Sequence, residues 1–174
     1  LNDHDGLDIG ARRITLSTSG VAPGIRALAD EGIQVELSVS LHAPTDELRS
    51  RLMPVNHLHP LSELIPACRD YAARTGRIIT FEYTMIQGLN DSPDCASALA
   101  ALIGPFPSRV NLIPLSPVPE FDGTASSPQA IETFMDVLVR ARINVTTRQS
   151  KGASIQAACG QLRCRSLNAE GHSS

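Results

Sequence analysis

Residues 61–91 read LSELIPACRDYAARTGRIITFEYTMIQGLND, and the fold is decided there. An amphipathic helical pattern runs over 61–75, and Gly76 stands where a C-terminal cap belongs. The β-branched and aromatic run 77–86 (RIITFEYTMI) follows at once, and Asn90-Asp91 closes it with polar side chains. A helix feeding directly into a strand is half of a β/α unit, and the same alternation extends in both directions. Strands are expected at 13–19, 35–42, 77–86, 109–116 and 143–150. Helices are expected at 22–31, 45–52, 61–75, 92–103, 127–141 and, briefly, 153–163. Thr45 before Asp46 and Glu47, Asp91-Ser92-Pro93 and Ser127-Pro128 are helix starts, and Gly104 is a second C-terminal cap. The expected class is α/β, with about five mostly parallel strands alternating with helices in one domain spanning 1–174 and a disordered tail over 166–174. A complete eight-unit barrel needs about 250 residues. The start LNDHDGLDIGARR leaves no room for a preceding strand and helix, so the pattern fits an open sheet or a barrel whose first units are missing.

Composition excludes several classes. Hydrophobic residues make up 42% of the 174 and charged residues 19%, the mix of a globular protein. No apolar run approaches the roughly 20 residues of a membrane helix. No basic-then-apolar signal segment opens the chain either, so no membrane partner and a cytoplasmic setting are expected. The net charge of −3 divides unevenly. From Arg140 to Arg165 there are six basic residues (Arg140, Arg142, Arg148, Lys151, Arg163, Arg165) and no acid, while the rest carries 9 basic and 18 acidic residues. A basic segment of this kind is a solvated face or a surface for a polyanion.

Four cysteines, Cys68, Cys95, Cys159 and Cys164, form no C-x-x-C pair and no zinc spacing, so no metal site is expected within this chain. Cys68 and Cys95 lie in amphipathic segments and read as small buried hydrophobes. Cys159, in AACGQL, has little steric cover, and the basic residues around it favour thiolate. The plain alternative is a helix-packing cysteine between alanines. His42 is the one histidine placed at a strand end, so a nucleophile pair would join it to Cys159. His57 and His59 read as an exposed loop pair. Glu82, inside the strand 77–86, either faces a barrel interior or pairs with an arginine. Neither glycine-rich phosphate loop occurs, and two Tyr, four Phe and no Trp argue against an aromatic platform for single strands.

Every strand turns polar toward its carboxyl end: Ser17-Thr18-Ser19-Gly20, Ser40-Leu41-His42, Asn90-Asp91, Ser116, and Arg148 to Gly152. Sites of parallel β/α folds form at that end, because the loops there converge.

Five blocks together carry a resemblance: RRITLSTSGVAPGI, ELSVSLHAPTDELRSRLMPVN, ITFEYTMIQGLNDS, RVNLIPLSPVP and TTRQSKGASIQAACGQL. In this order they resemble the radical S-adenosylmethionine RNA methyltransferases of dual specificity, which methylate C2 of an adenosine in 23S rRNA and tRNA. A cousin acting on C8 of the rRNA adenosine is the nearest alternative, and a non-catalytic RNA-binding fragment another. The resemblance implies a radical-SAM-type barrel, S-adenosylmethionine, a 4Fe–4S iron–sulfur cluster and a reductant for it. It implies that Cys159 carries a methyl group, which a radical made from a second cofactor molecule activates for addition to adenine. Cofactor contacts would come from Ser17, from Ser40, Leu41 and His42, and from Ser116, where the family has asparagine. The family's C-x-x-x-C-x-x-C motif, its GGxGE segment, its general-base glutamate and its second cysteine have no counterpart here. The chain therefore resembles the C-terminal half of such an enzyme, with the N-terminal barrel units missing, and is expected to be inactive alone.

Overall fold

A computed structural model of the chain describes residues 13–116 and 121–148. Its strands are β1 (Thr15–Thr18), β2 (Glu36–Ser40), β3 (Ile79–Met85), β4 (Ser108–Pro114) and β5 (Asn144–Thr147). The helices are α1 (Ala22–Asp30), α2 (Asp46–Leu52), α3 (Leu61–Thr75), α4 (Pro93–Ile103) and α5 (Pro128–Arg140). The strands form one sheet in the order β1-β2-β3-β4-β5, and every neighbouring pair is parallel. Right-handed crossovers between consecutive parallel strands place all the helices on one face. This is the winding of a (β/α) barrel rather than of an open sheet covered on both sides.

The two faces differ in chemistry. Leu37 and Val39 of β2, Ile79, Phe81, Tyr83 and Met85 of β3, and Val110 and Leu112 of β4 are buried. They pack in one core with Ile25, Leu64, Tyr71, Leu99, Ile103 and Phe134 from the helices. Ser17, Ser38, Ser40, Glu82, Asn111 and Thr146 alternate with them and share the opposite face through the registers Ser17↔Ser38, Ser40↔Glu82, Glu82↔Asn111 and Asn111↔Thr146. Full burial of a side chain such as Phe81 or Leu37 contributes about 1.5–3 kcal/mol. A slip of β3 by one residue would exchange Phe81 and Tyr83 for Glu82 and Thr84, so the register is held by the core.

The expected α/β class stands, and the helix starts behave as the sequence suggests. Thr45, Ser92 and Ser127 accept hydrogen bonds from the backbone N–H groups of Leu48, Cys95 and Ala130. Gly76 ends α3 at φ 67°. The strands are shorter than expected, because their polar ends already belong to the loops. After Ser40 the N–H groups of Leu41 and His42 both converge on the Glu82 carbonyl, and His42 turns at φ 57°. The segment holding His57 and His59 departs from an exposed loop: Pro54–His57 is a 3-10 turn, His57 is exposed and His59 is half-buried. Cys68 is fully buried as expected, whereas Cys95, in the first turn of α4, is only half-buried. The 153–163 helix and the 166–174 tail fall outside the described residues.

Gly20 follows β1 at φ +100°, and a Cβ there would stand 2.7 Å from the Arg49 guanidinium and 2.9 Å from Leu64. Gly24, inside α1, has open space, with Val21 3.8 Å away. Gly20→Ala should lose about 2 kcal/mol or more, through strain and the clash together. Gly24→Ala should gain about 0.5–1 kcal/mol. Urea unfolding midpoints measure both, and equal midpoints for the two variants would contradict this account of the β1 turn.

Candidate functional site

The carboxyl ends of β1 and β2 are tied together by one buried cation. Arg49 of α2 is fully inaccessible to solvent. Its Nη2 donates to the carbonyls of Ser19 at 2.8 Å and Ser40 at 3.1 Å, and its Nε to that of Leu41 at 3.3 Å. Its Nη1 donates to Asn56 Oδ1 at 2.8 Å and to the His59 carbonyl at 3.4 Å. Burial pushes the guanidinium below its ordinary pKa, and the Asp46 carboxylate opposes that shift. Asp46 acts through Asn56, whose Nδ2 donates to Asp46 Oδ1 at 3.0 Å. A guanidinium fork reaches several acceptors at once in a way that a lysine ammonium cannot.

A second knot ties β2 to β3. Asn90 is fully buried, and its Nδ2 donates to the carbonyls of His42 and Thr84 at 2.8 and 2.7 Å. Its Oδ1 accepts from the Ile86 N–H at 2.7 Å, and its carbonyl from the Tyr83 hydroxyl at 2.8 Å. Asp91 extends the knot, accepting from the Gly88 N–H and the Ser126 hydroxyl. The polar pair read from sequence as a strand-end feature thus shapes the rim of the sheet.

Ser17 is exposed on the open face, and Ser40 is half-buried at the end of β2. Leu41 is fully buried, its N–H given to Glu82 and its carbonyl to Arg49. It serves the rim by backbone placement, since its side chain belongs to the core. His42 Nδ1 accepts from the Thr84 N–H at 3.0 Å. That bond places the proton of the neutral ring on Nε2, which is left as a donor. Burial, assisted by the nearby Arg49 charge, holds the imidazole down at about 4. Ser116 is exposed two residues past the end of β4. Cys159 lies outside the described residues, so the structure does not address its pairing with His42.

Glu82 faces the open side rather than an arginine: Ser38 Oγ and Asn111 Nδ2 donate to its two oxygens at 2.8 and 2.7 Å. Among the described residues no three His, Cys, Asp or Glu side chains gather to hold a metal. Cys68 is fully buried, and that burial pushes its thiol up to about 12. Sequence reasoning missed Arg49 and Asn111. Arg49 sits in DELRSRL, which reads as a charged solvent helix, and α2 spans only seven residues. Asn111 lies inside a strand pattern that carries no separate signal.

No protein-family model matches the chain. Among curated proteins, "Probable dual-specificity RNA methyltransferase RlmN" of Desulforudis audaxviator is 51% identical over 160 residues, 92% of this chain and 50% of that protein. The protein of the same name from Pelotomaculum thermopropionicum is 52% identical over 91% of this chain and 43% of its own length. Among solved structures, a radical SAM methyltransferase from Sphaerobacter thermophilus superposes with a TM-score of 0.88 at 49% identity, covering 92% of this chain and 47% of that one. A domain of a pyruvate-formate lyase-activating enzyme from Bacteroides vulgatus shares the fold at 14% identity and a TM-score of 0.60. The chain spans about half the length of the curated relatives it matches.

The depressed His42 makes a pH prediction. The unfolded imidazole takes a proton near 6.5 and the folded one only near 4. Between those values the unfolded state binds more protons, so stability is complete above pH 6.5 and falls as pH drops toward 4. The loss attributable to this residue is at most about 3 kcal/mol. His42→Asn, which tolerates the positive φ, should flatten that limb in denaturation series across this range. An unchanged acid limb in the variant would show that His42 is not held neutral by the fold.

Proposed function

We propose that the chain belongs to the dual-specificity RNA methyltransferases of the radical S-adenosylmethionine class and is the C-terminal half of an enzyme methylating C2 of an adenosine in 23S rRNA and tRNA. The observation that carries this reading is the identity of about half the residues along nearly the whole chain. The geometry supports it: Ser17, Ser40 and His42 stand on one rim, shaped by Arg49 and Asn90.

In this reading the residues at the strand ends would hold S-adenosylmethionine, one molecule of which would supply the methyl group and a second the radical that activates it. Ser17 and Ser40 offer hydroxyls, and His42 donates from Nε2 to an acceptor on the cofactor. Leu41 sets the height of the loop from beneath. Ser116 stands where the family has asparagine, and its shorter hydroxyl has one donor hydrogen in place of two. Cys159 receives the methyl group, its thiolate favoured by the acid-free basic stretch that contains it. Arg140, Arg142 and Arg148, all exposed, neutralise phosphates of the RNA. The sequence holds no C-x-x-x-C-x-x-C motif, so in this reading the 4Fe–4S cluster and the reductant acting on it belong with a segment outside this chain. A cytoplasmic setting follows from an RNA substrate, and no helix among the described residues is long and apolar enough to cross a membrane. A half lacking the cluster site does not catalyse the reaction by itself.

The test joins this chain to its upstream coding frame and incubates the purified protein with S-adenosylmethionine, reductant and 23S rRNA. Mass spectrometry should find one added methyl on Cys159, and nucleoside analysis should find methyl on adenosine C2. Cys159→Ala should abolish RNA methylation. Methylated RNA from the Cys159→Ala protein would contradict the role of that cysteine, and methyl at C8 would contradict the assigned position.

A further inference from the structure

Four side chains from four adjacent strands form a hydrogen-bonded row across the open face. Ser38 Oγ donates to Glu82 Oε1 at 2.8 Å, and Asn111 Nδ2 donates to Glu82 Oε2 at 2.7 Å. Thr146 Oγ1 in turn donates to Asn111 Oδ1 at 3.2 Å, which fixes the amide with its N–H group toward the carboxylate. The row is centred on an anion whose described partners are both neutral. Ion pairs among the described residues join Arg74 to Asp30 and Asp70, and Arg77 to Glu36, leaving Glu82 out.

A barrel interior that needed only filling is built from branched apolar side chains. A half-buried carboxylate without a cation is costly there unless hydrogen bonds satisfy it. Each carboxylate oxygen accepts about two hydrogen bonds. Ser38 and Asn111 take one on each oxygen, so one acceptor position remains on each, side by side. Two adjacent acceptors match a vicinal diol, the group by which an acidic residue holds ribose in dinucleotide sites.

The location fits the same group. Ser40 is the register partner of Glu82 and stands level with it, while Ser17, the partner of Ser38, lies on the same face two residues lower, so the carboxylate shares a face with both serines assigned above to the cofactor. We propose that Glu82 binds the ribose hydroxyls of S-adenosylmethionine, with Ser38 and Asn111 holding the carboxylate in place. This rests on the reading of that cofactor at the strand ends.

The experiment measures calorimetric binding of S-adenosylhomocysteine, and of its 2′-deoxy and 3′-deoxy forms, to the full-length protein. Native protein should lose about 10- to 100-fold in affinity when a hydroxyl is removed. Glu82→Gln should lose a similar factor for S-adenosylhomocysteine and bind the deoxy forms as native protein does. Glu82→Asp, which keeps the charge and shortens the reach, should show the same selective loss and serves if the glutamine variant does not fold. Equal losses for all three ligands would overturn the proposal, since a merely structural role predicts them. Failure of native protein to bind S-adenosylhomocysteine at all would overturn the cofactor reading itself, an outcome separate from these.

Discussion

The Arg49 guanidinium donates to the carbonyls of Ser19, Ser40 and Leu41, and so joins the turns that follow β1 and β2. Parallel strands leave their last carbonyls unpaired where the chain turns into a loop, and a buried carbonyl without a donor costs free energy. One fork satisfies three of them here, and its other arm anchors the 3-10 turn through Asn56. The arrangement explains Gly20: any side chain there would occupy the space of the guanidinium. It also contributes to His42, whose imidazole is held neutral first by burial and then by the charge nearby.

The sheet is thereby divided into two chemistries. Its helix-covered face is apolar and supplies the stability, with β3 at its centre contributing four buried side chains, Ile79, Phe81, Tyr83 and Met85. The other face is a polar row that ends in hydroxyls, one imidazole and one carboxylate. Apolar and polar side chains thus lie on alternate residues of the same strands, which is how a period of two separates the two faces.

Much of this was legible in the sequence. The α3 span of 61–75 and its Gly76 cap agree with the structure residue for residue, because a helix with a clear apolar stripe and a cap carries its own boundaries. The positions of Ser17, Ser40 and His42 at the carboxyl ends of β1 and β2 were likewise legible, since polar residues closing an apolar run mark a strand end. Arg49 was not: its partners are backbone carbonyls, and a carbonyl has no letter in a sequence. Glu82 was seen as anomalous but left between two readings, because its partners, Ser38 and Asn111, are separated from it by 44 and 29 residues. The His57–His59 segment misled for a similar reason. It looks like a polar loop, yet Asn56 and the His59 carbonyl point inward at a cation that arrives from another element.

Hydrogen–deuterium exchange of the full-length protein, native and Arg49→Lys, with and without S-adenosylmethionine, tests the claim that the two strand ends act as one shelf. Native protein should gain protection at 17–20 and 40–42 together when the cofactor is added. Arg49→Lys should lose that joint protection while β3 and β4 exchange as before. Protection of one segment without the other, or joint protection that survives Arg49→Lys, would contradict the account.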